Sequence, residues 1–261
     1  MFNKTIFKQT FKSNFKLWLI FTIILSVLSV VLIAVFEPST ISGVTDMVKG
    51  TPLENMLQNT TFLGMLAQTF FSIHGVILPL VFIIMTANSL VASKVDRGSM
   101  AYLLSTPTKR NIVVGTQAAY LTTSIIFMFG IVTIVGVAAI QIFQSDTNVS
   151  IPNFLLLNIG LFLLMFATSG VSFLFSCIFN LSKNSLAFGA GIPLAFFLFH
   201  LMGQTSESLE GMKNISLNTL FDTDAILNGD GYIIQFVILA VVGIILYAIG
   251  IRIFQQKDLP L

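Results

Sequence analysis

The sequence predicts an all-α membrane protein with six transmembrane helices, an N-terminal amphipathic interfacial helix and a short helix in one inner loop. Three observations predict it. Of the 261 residues, 55% are hydrophobic and only 9% are charged, where a soluble domain carries about 25% charged residues. The few charges divide the chain into long uncharged runs, near the ~20 residues needed to cross a hydrocarbon core of roughly 30 Å. The basic residues then fall on one side when the runs are threaded back and forth. The same composition excludes an ordinary soluble enzyme or nucleic-acid binder. With 12% aromatics and 7 prolines it fits neither a disordered nor a fibrous chain.

Residues 1–16 place Lys4, Lys8, Lys12 and Lys16 four apart, with Phe7, Phe11 and Phe15 at the same step. Such spacing keeps each set on one slowly drifting helical stripe. The stripes lie side by side, which suits a helix in the inner headgroup layer. Its phenylalanines would dip into lipid while its lysines reach the phosphates. Trp18 then anchors the interface where this helix turns into span one, 17–36. A merely basic flank that sets topology is the alternative. Span one exceeds the ~7–15 residues of a signal-peptide core, and Phe36-Glu37-Pro38 is no small-residue cleavage site, so it is read as a retained helix. The remaining spans are expected at 69–92, 116–140, 153–178, 185–203 and 231–251, all in a single membrane domain over 1–261.

An N-terminus placed inside leaves only Lys49 and Lys213, of 13 basic residues, on the outside. Of 11 acids, only Asp96 and Asp258 fall inside. The Lys/Arg bias is the part that reports orientation, and it puts both termini in the cytoplasm.

The spans hold no Asp, Glu, Lys or Arg away from their ends. Ion-coupled carriers usually need an ionisable group at depth, and aspartyl, glutamyl and zinc peptidases need acids or histidine clusters there. His74 and His200, the only histidines, both fall near outer span ends. They are candidate pathway residues. A metal site normally recruits three or four ligands, so no metal is assigned, and no catalytic residue either. Cys177 is the single cysteine, so no internal disulfide can form. No Gly-x-x-x-x-Gly-Lys-Ser/Thr loop is present, so any energy from ATP must come through a partner.

The inner loop 93–111 is the most substantial one on that side. Ser99 to Leu104 are compatible with a short helix carrying Met100, Leu103 and Leu104 on one side. Pro107 disfavours helix at Thr106 and stops it, and Thr108 is placed to cap the next span. An exposed leucine pair on such a helix calls for a partner, unless the helix tucks against the membrane surface.

Here the sequence resembles a family. The pattern Asp96-Arg97-Gly98-Ser99, then Leu103-Leu104-Ser105-x-Pro107 and Arg110, directly after span two, looks like the coupling loop of ABC type-2 exporter permeases. The basic N-terminal elbow, Gly189-x-Gly191-Ile192-Pro193 at span five, Leu217-x-x-Leu220-Phe221-Asp222 before span six and the ending Phe254-x-x-Lys257-Asp258-Leu259-Pro260-Leu261 agree with it end to end. Two positions depart: Lys94 stands where many relatives carry an acid, and Gln117 where a lysine is common.

The resemblance implies a bacterial plasma-membrane permease, not itself an enzyme. It would pair with a second permease copy or paralogue and with cytosolic ABC ATPase subunits that bind ATP and Mg. Met100, Tyr102, Leu103 and Leu104 would then be packing contacts in an ATPase cleft. Arg97, Lys109 and Arg110 would supply charge contacts or lipid-phosphate anchors. Apolar spans one, two and five suggest an amphipathic or hydrophobic cargo, such as a peptide toxin, an antimicrobial peptide or a drug. The alternatives are a membrane-embedded peptidase working through His74 or His200, and an immunity or sensor protein without transport.

Overall fold

The computed structural model describes residues 2–36, 40–41, 43, 46–47, 50, 61–105, 108–144, 149–205, 211 and 216–258. Pro107, Thr106, Lys49, Lys213 and the outer acids Glu37, Glu54, Asp146, Glu207 and Glu210 lie outside the described residues. Among the described residues the architecture is all-α, and six helices are long and apolar enough to cross a membrane.

Helix α1 (Lys4–Val35) is one unbroken helix of 32 residues, about 48 Å long at 1.5 Å per residue. The turn expected at Trp18 is therefore absent. The segment contains no glycine or proline to break it, and Asn3 caps its start by accepting from the N–H groups of Thr5 and Ile6. The proposed elbow is the first half of span one, continuous with it.

Span two is assembled from three pieces. A helix α2 (Phe62–Leu66) passes through a π-helical stretch (Ala67–His74) into α3 (Gly75–Leu90). The wide turn frees carbonyls that side chains then occupy: Ser72 Oγ donates to the Ala67 carbonyl and His74 Nδ1 to that of Thr69. Gly75 permits the turn, because a Cβ there would lie 2.8 Å from Leu161 Cδ2 and 2.9 Å from the Phe70 carbonyl oxygen. The short helices α4 (Ala92–Asp96) and α5 (Ser99–Leu104) follow. Then come α6 (Arg110–Phe143), α7 (Ile151–Ile178) and α8 (Ser182–Thr205). A 3-10 turn (Leu217–Leu220), the short α9 (Thr223–Asn228) and α10 (Tyr232–Gln256) complete the chain.

Helix α7 is the hub, touching α10, α8, α3 and α6, while α1 lies along α6. In lipid, helices associate through close packing and inter-helical hydrogen bonds more than through hydrophobic exclusion. Both are present. Along the α7–α10 seam a Cβ at Gly243 would meet Phe166 ring atoms at 2.5 Å, and one at Gly170 would meet Leu246 Cβ at 3.0 Å. Tyr247 shares a 2.7 Å hydrogen bond with Ser169 and stacks on Phe166. The α1–α6 seam is laced from end to end. Asn3 N donates to Thr116 Oγ1, Thr10 Oγ1 to Gln117 Oε1 and Trp18 Nε1 to the Ser124 carbonyl. At the far end Gln144 Nε2 donates to the carbonyls of Ile33 and Phe36, satisfying the last turn of α1.

Gly243→Val should lower the unfolding temperature of the detergent-solubilised protein by about 2–6 °C, as overpacking costs ~1–3 kcal/mol. Gly191→Ala, whose Cβ meets nothing within 4 Å, should shift it by less than about 1 °C. Thermal unfolding followed by circular dichroism checks the pair.

Candidate coupling surface

Span two ends at a break in the helical ladder. Val91 has φ −128° and ψ −72°, so the helix stops at Leu90 and restarts at Ala92. The break leaves the Ala87 carbonyl and the Ala92 N–H without their ladder partners. One fully buried hydroxyl serves both: Ser176 Oγ donates to the Ala87 carbonyl (2.8 Å) and accepts from Ala92 N (3.0 Å). Ser176 sits on α7, so the segment after the break is jointed to span two yet bonded to the hub.

After the break, α4 and α5 form a compact hairpin. Gly98 sits between them with φ +69°, a left-handed conformation that costs other residues roughly 1–2 kcal/mol. Helix α5 then buries Met100 completely. Leu103 and Leu104 are half-buried and pack against the same core. The leucine pair of α5 is thus only partly displayed, because both side chains pack against the bundle's apolar core. The exposed face comprises Arg97, Gly98, Ser99 and Tyr102, with Tyr102 81% exposed.

The charged residues around the hairpin divide into two groups. Arg97 and Lys109 are exposed. Asp96 instead accepts from the Ser182 N–H (3.2 Å) at the first turn of α8, and Asn88 Nδ2 donates to Ser182 Oγ (2.8 Å). An acid at that position also suits the positive end of the helix dipole. Arg110 Nη1 donates to the Lys257 carbonyl, and Lys257 Nζ donates to the Cys177 carbonyl, both at 3.0 Å. Lys257 thereby caps the last turn of α7, and burial lowers its pKa below the ordinary lysine value. Arg110 therefore braces α6 against the end of α10 rather than standing free as a contact. Nor does Thr108 cap α6, whose cap residue is Lys109, without a side-chain bond.

On α1, Lys4, Lys8, Lys12 and Lys16 are all exposed, as are Phe11 and Phe15. Phe7, Phe11, Phe15 and Trp18 line an apolar groove of about 310 Å³ with Tyr120 and Phe127 of α6. His74 is exposed and bonded within its own helix. Among the described residues no group of three or more His, Cys, Asp or Glu side chains could hold a metal ion. Ser172 lies in a Gly170-Val171-Ser172 triplet, a Gly-x-Ser context within α7. Its hydroxyl donates to the Gly189 carbonyl at 2.7 Å, a helix-packing bond between α7 and α8. At the opposite end of the bundle Asp222 caps α9 by accepting from Asp224 N and Ala225 N. Burial, and then the Asp222 charge, raise the Asp224 pKa.

The family model for ABC-2 family transporter proteins matches residues 7–259 of this chain. The chain belongs to the ABC-2 transporter family. No curated protein matches it. An ABC-2 permease is the membrane subunit of a transporter and implies an ATP-binding cassette partner and a membrane setting. In this ABC-2 protein, Ser176, Asn88 and Ser182 shape the segment after the break but escaped the sequence reading, and Lys257 entered it only as part of the C-terminal ending. A serine amid apolar residues of α7 was the visible trace of the first. Asn88 and Ser182 are bonded side chain to side chain across 94 residues, and Lys257 acts through a carbonyl, so no local motif announces them.

Ser176→Ala removes both bonds at the Val91 break and should cost about 1–3 kcal/mol. Hydrogen exchange over residues 87–98 should accelerate by at least about tenfold, while exchange in the middle of α6 stays unchanged. Uniform acceleration throughout the chain would show that Ser176 acts globally instead.

Proposed function

We propose that this chain is the permease half of an ATP-driven exporter, held in a bacterial plasma membrane with its basic end and both termini in the cytoplasm. One observation carries the reading: the exposed patch of Arg97, Gly98, Ser99 and Tyr102 is mounted on a helix whose other face, Met100, is buried in the core. A rigid knob with an uncovered aromatic tip fits insertion into a cleft of a cytosolic ATPase. That ATPase would bind ATP and Mg. The positive-inside bias supports the orientation, and the lysine stripe of α1 then meets the inner headgroups.

Helices α1, α8 and α10 are covered least within the chain. Ile20, Ile23, Val27 and Val31 on α1 and Phe188, Leu194 and Leu198 on α8 remain exposed. This supports a dimer with a second copy or a paralogue, and a translocation route between the two. A wall so apolar suits an amphipathic or hydrophobic cargo, such as a peptide toxin, an antimicrobial peptide or a drug, better than a sugar. Closure of the ATPase pair on ATP would bias the dimer between two arrangements. The push would enter at Tyr102, pass through Met100 into the hub and pass through Asp96 to the start of α8.

Arg97→Glu and Tyr102→Ala should each weaken binding to the cognate ATPase at least about tenfold, a loss of ~1.4 kcal/mol or more. Both should abolish ATP-dependent cargo flux in reconstituted vesicles while leaving helical content unchanged. Wild-type flux in both variants, or no association of the intact chain with any ATPase, would sink the reading.

A further inference from the structure

A second cleft of about 310 Å³, with Ile6 and Leu103 beside its polar lining residues, lies at the basic end, between the first turns of α1, the start of α6 and the α4–α5 hairpin. Lys94, Gln117, Thr10, Ser13, Ser99 and Tyr102 help to line it. Lys94 of α4 and Gln117 of α6 therefore face the same space. Lys94 is half-buried, and among the described residues no acidic side chain lines the cleft. A cation drawn partly out of water with no anion beside it is held at a cost that an incoming anion relieves.

Gln117 adds an independent observation. Its side chain is fully buried on α6, and Thr10 Oγ1 donates to its Oε1 at 3.2 Å. That bond orients the amide, leaving Nε2 as a buried donor without an acceptor among the described residues. Buried donors are ordinarily paired, so this one points to an acceptor arriving from outside the chain. The Ser13 hydroxyl adds another donor, while that of Ser99 already donates to the Lys94 carbonyl.

We propose that this cleft binds a phosphate group, either the headgroup phosphate of an anionic phospholipid or free inorganic phosphate. Lysine serves phosphate as a compact point charge. The ammonium, the amide and the serine hydroxyl together offer more donors than the two oxygens of one carboxylate require. A phosphate seated there bridges α1, α6 and the α4–α5 hairpin, stiffening the coupling surface from behind. The proposal stands on the donors of the cleft alone. Its test uses no ATPase, so its outcome is separate from that of the transport reading.

The test titrates the purified full-length chain in detergent, in one arm with short-chain phosphatidylglycerol and in the other with inorganic phosphate against chloride at matched ionic strength. Native mass spectrometry and thermal unfolding report binding. Saturable 1:1 binding of one probe is expected, weakened at least about tenfold in Lys94→Gln and at least about threefold in Gln117→Leu, and retained in Lys94→Arg. Binding of the lipid alone assigns a headgroup, and binding of inorganic phosphate alone assigns a free anion. Circular dichroism and size exclusion establish folding of each variant. Should Lys94→Gln not fold, the near-isosteric Gln117→Leu decides by itself. The proposal is overturned if neither probe saturates the wild type, the outcome expected were the cleft to take an acidic side chain of a partner protein. Equal affinity in wild type and the folded variants overturns it too.

Discussion

A polypeptide in hydrocarbon must satisfy each backbone N–H and C=O from within the protein, because no water is available to do so. The rest of this structure depends on that constraint. Uninterrupted helices meet it automatically, and most of the chain is such helix. The departures are the informative places, and several are answered by a named side chain. Ser72 and His74 take carbonyls opened by the π-helical stretch, Gln144 closes the last turn of α1, and Lys257 closes the last turn of α7. Ser176 alone holds both loose ends at the Val91 break. The break is where the α4–α5 hairpin leaves span two, so a requirement of solvation fixes the position of that joint.

From that joint the hairpin is tied to the bundle on several sides. Met100 is sunk in the core, Asp96 holds the start of α8, and α6 is braced to the end of α10 through Arg110. A surface so tethered moves with the helices behind it. That suits a part receiving force from another subunit better than a loose recognition loop. The glycine-lined seam between α7 and α10 packs closely, with the Phe166 ring filling the space that a Cβ on Gly243 would need.

Much of this was legible in the residues. Six spans follow from where charge is missing, and the resemblance of residues 96–110 to a coupling loop agrees with the family to which the chain belongs. Other features were not legible, for physical reasons. Lysine and phenylalanine spaced by four show that residues 4–16 are helical, but spacing cannot say whether that helix bends. Continuity with span one follows from the bonds of Asn3, Thr10 and Trp18 to α6, more than a hundred residues away. Likewise Met100, Leu103 and Leu104 on one side of a short helix identify an apolar face without saying what covers it. Here the protein's own core covers Met100 fully and Leu103 and Leu104 in part, which leaves Arg97 and Tyr102 as the exposed side chains. Arg110 looked like a displayed charge because its partner, a backbone carbonyl, leaves no mark in a sequence.

The central claim is that the exposed face of α5, and not its apolar side, meets the ATPase. Cys177 is fully buried, so cysteines introduced elsewhere can be labelled against little background. The most direct measurement is the rate of labelling by a membrane-impermeant maleimide at Tyr102→Cys and Leu104→Cys in the solubilised chain, with and without the cognate ATPase. The account predicts fast labelling at position 102, slowed at least about tenfold by the ATPase, and slow labelling at 104 in both conditions. Equal rates at 102 with and without the ATPase, or fast and ATPase-protected labelling at 104, would contradict it.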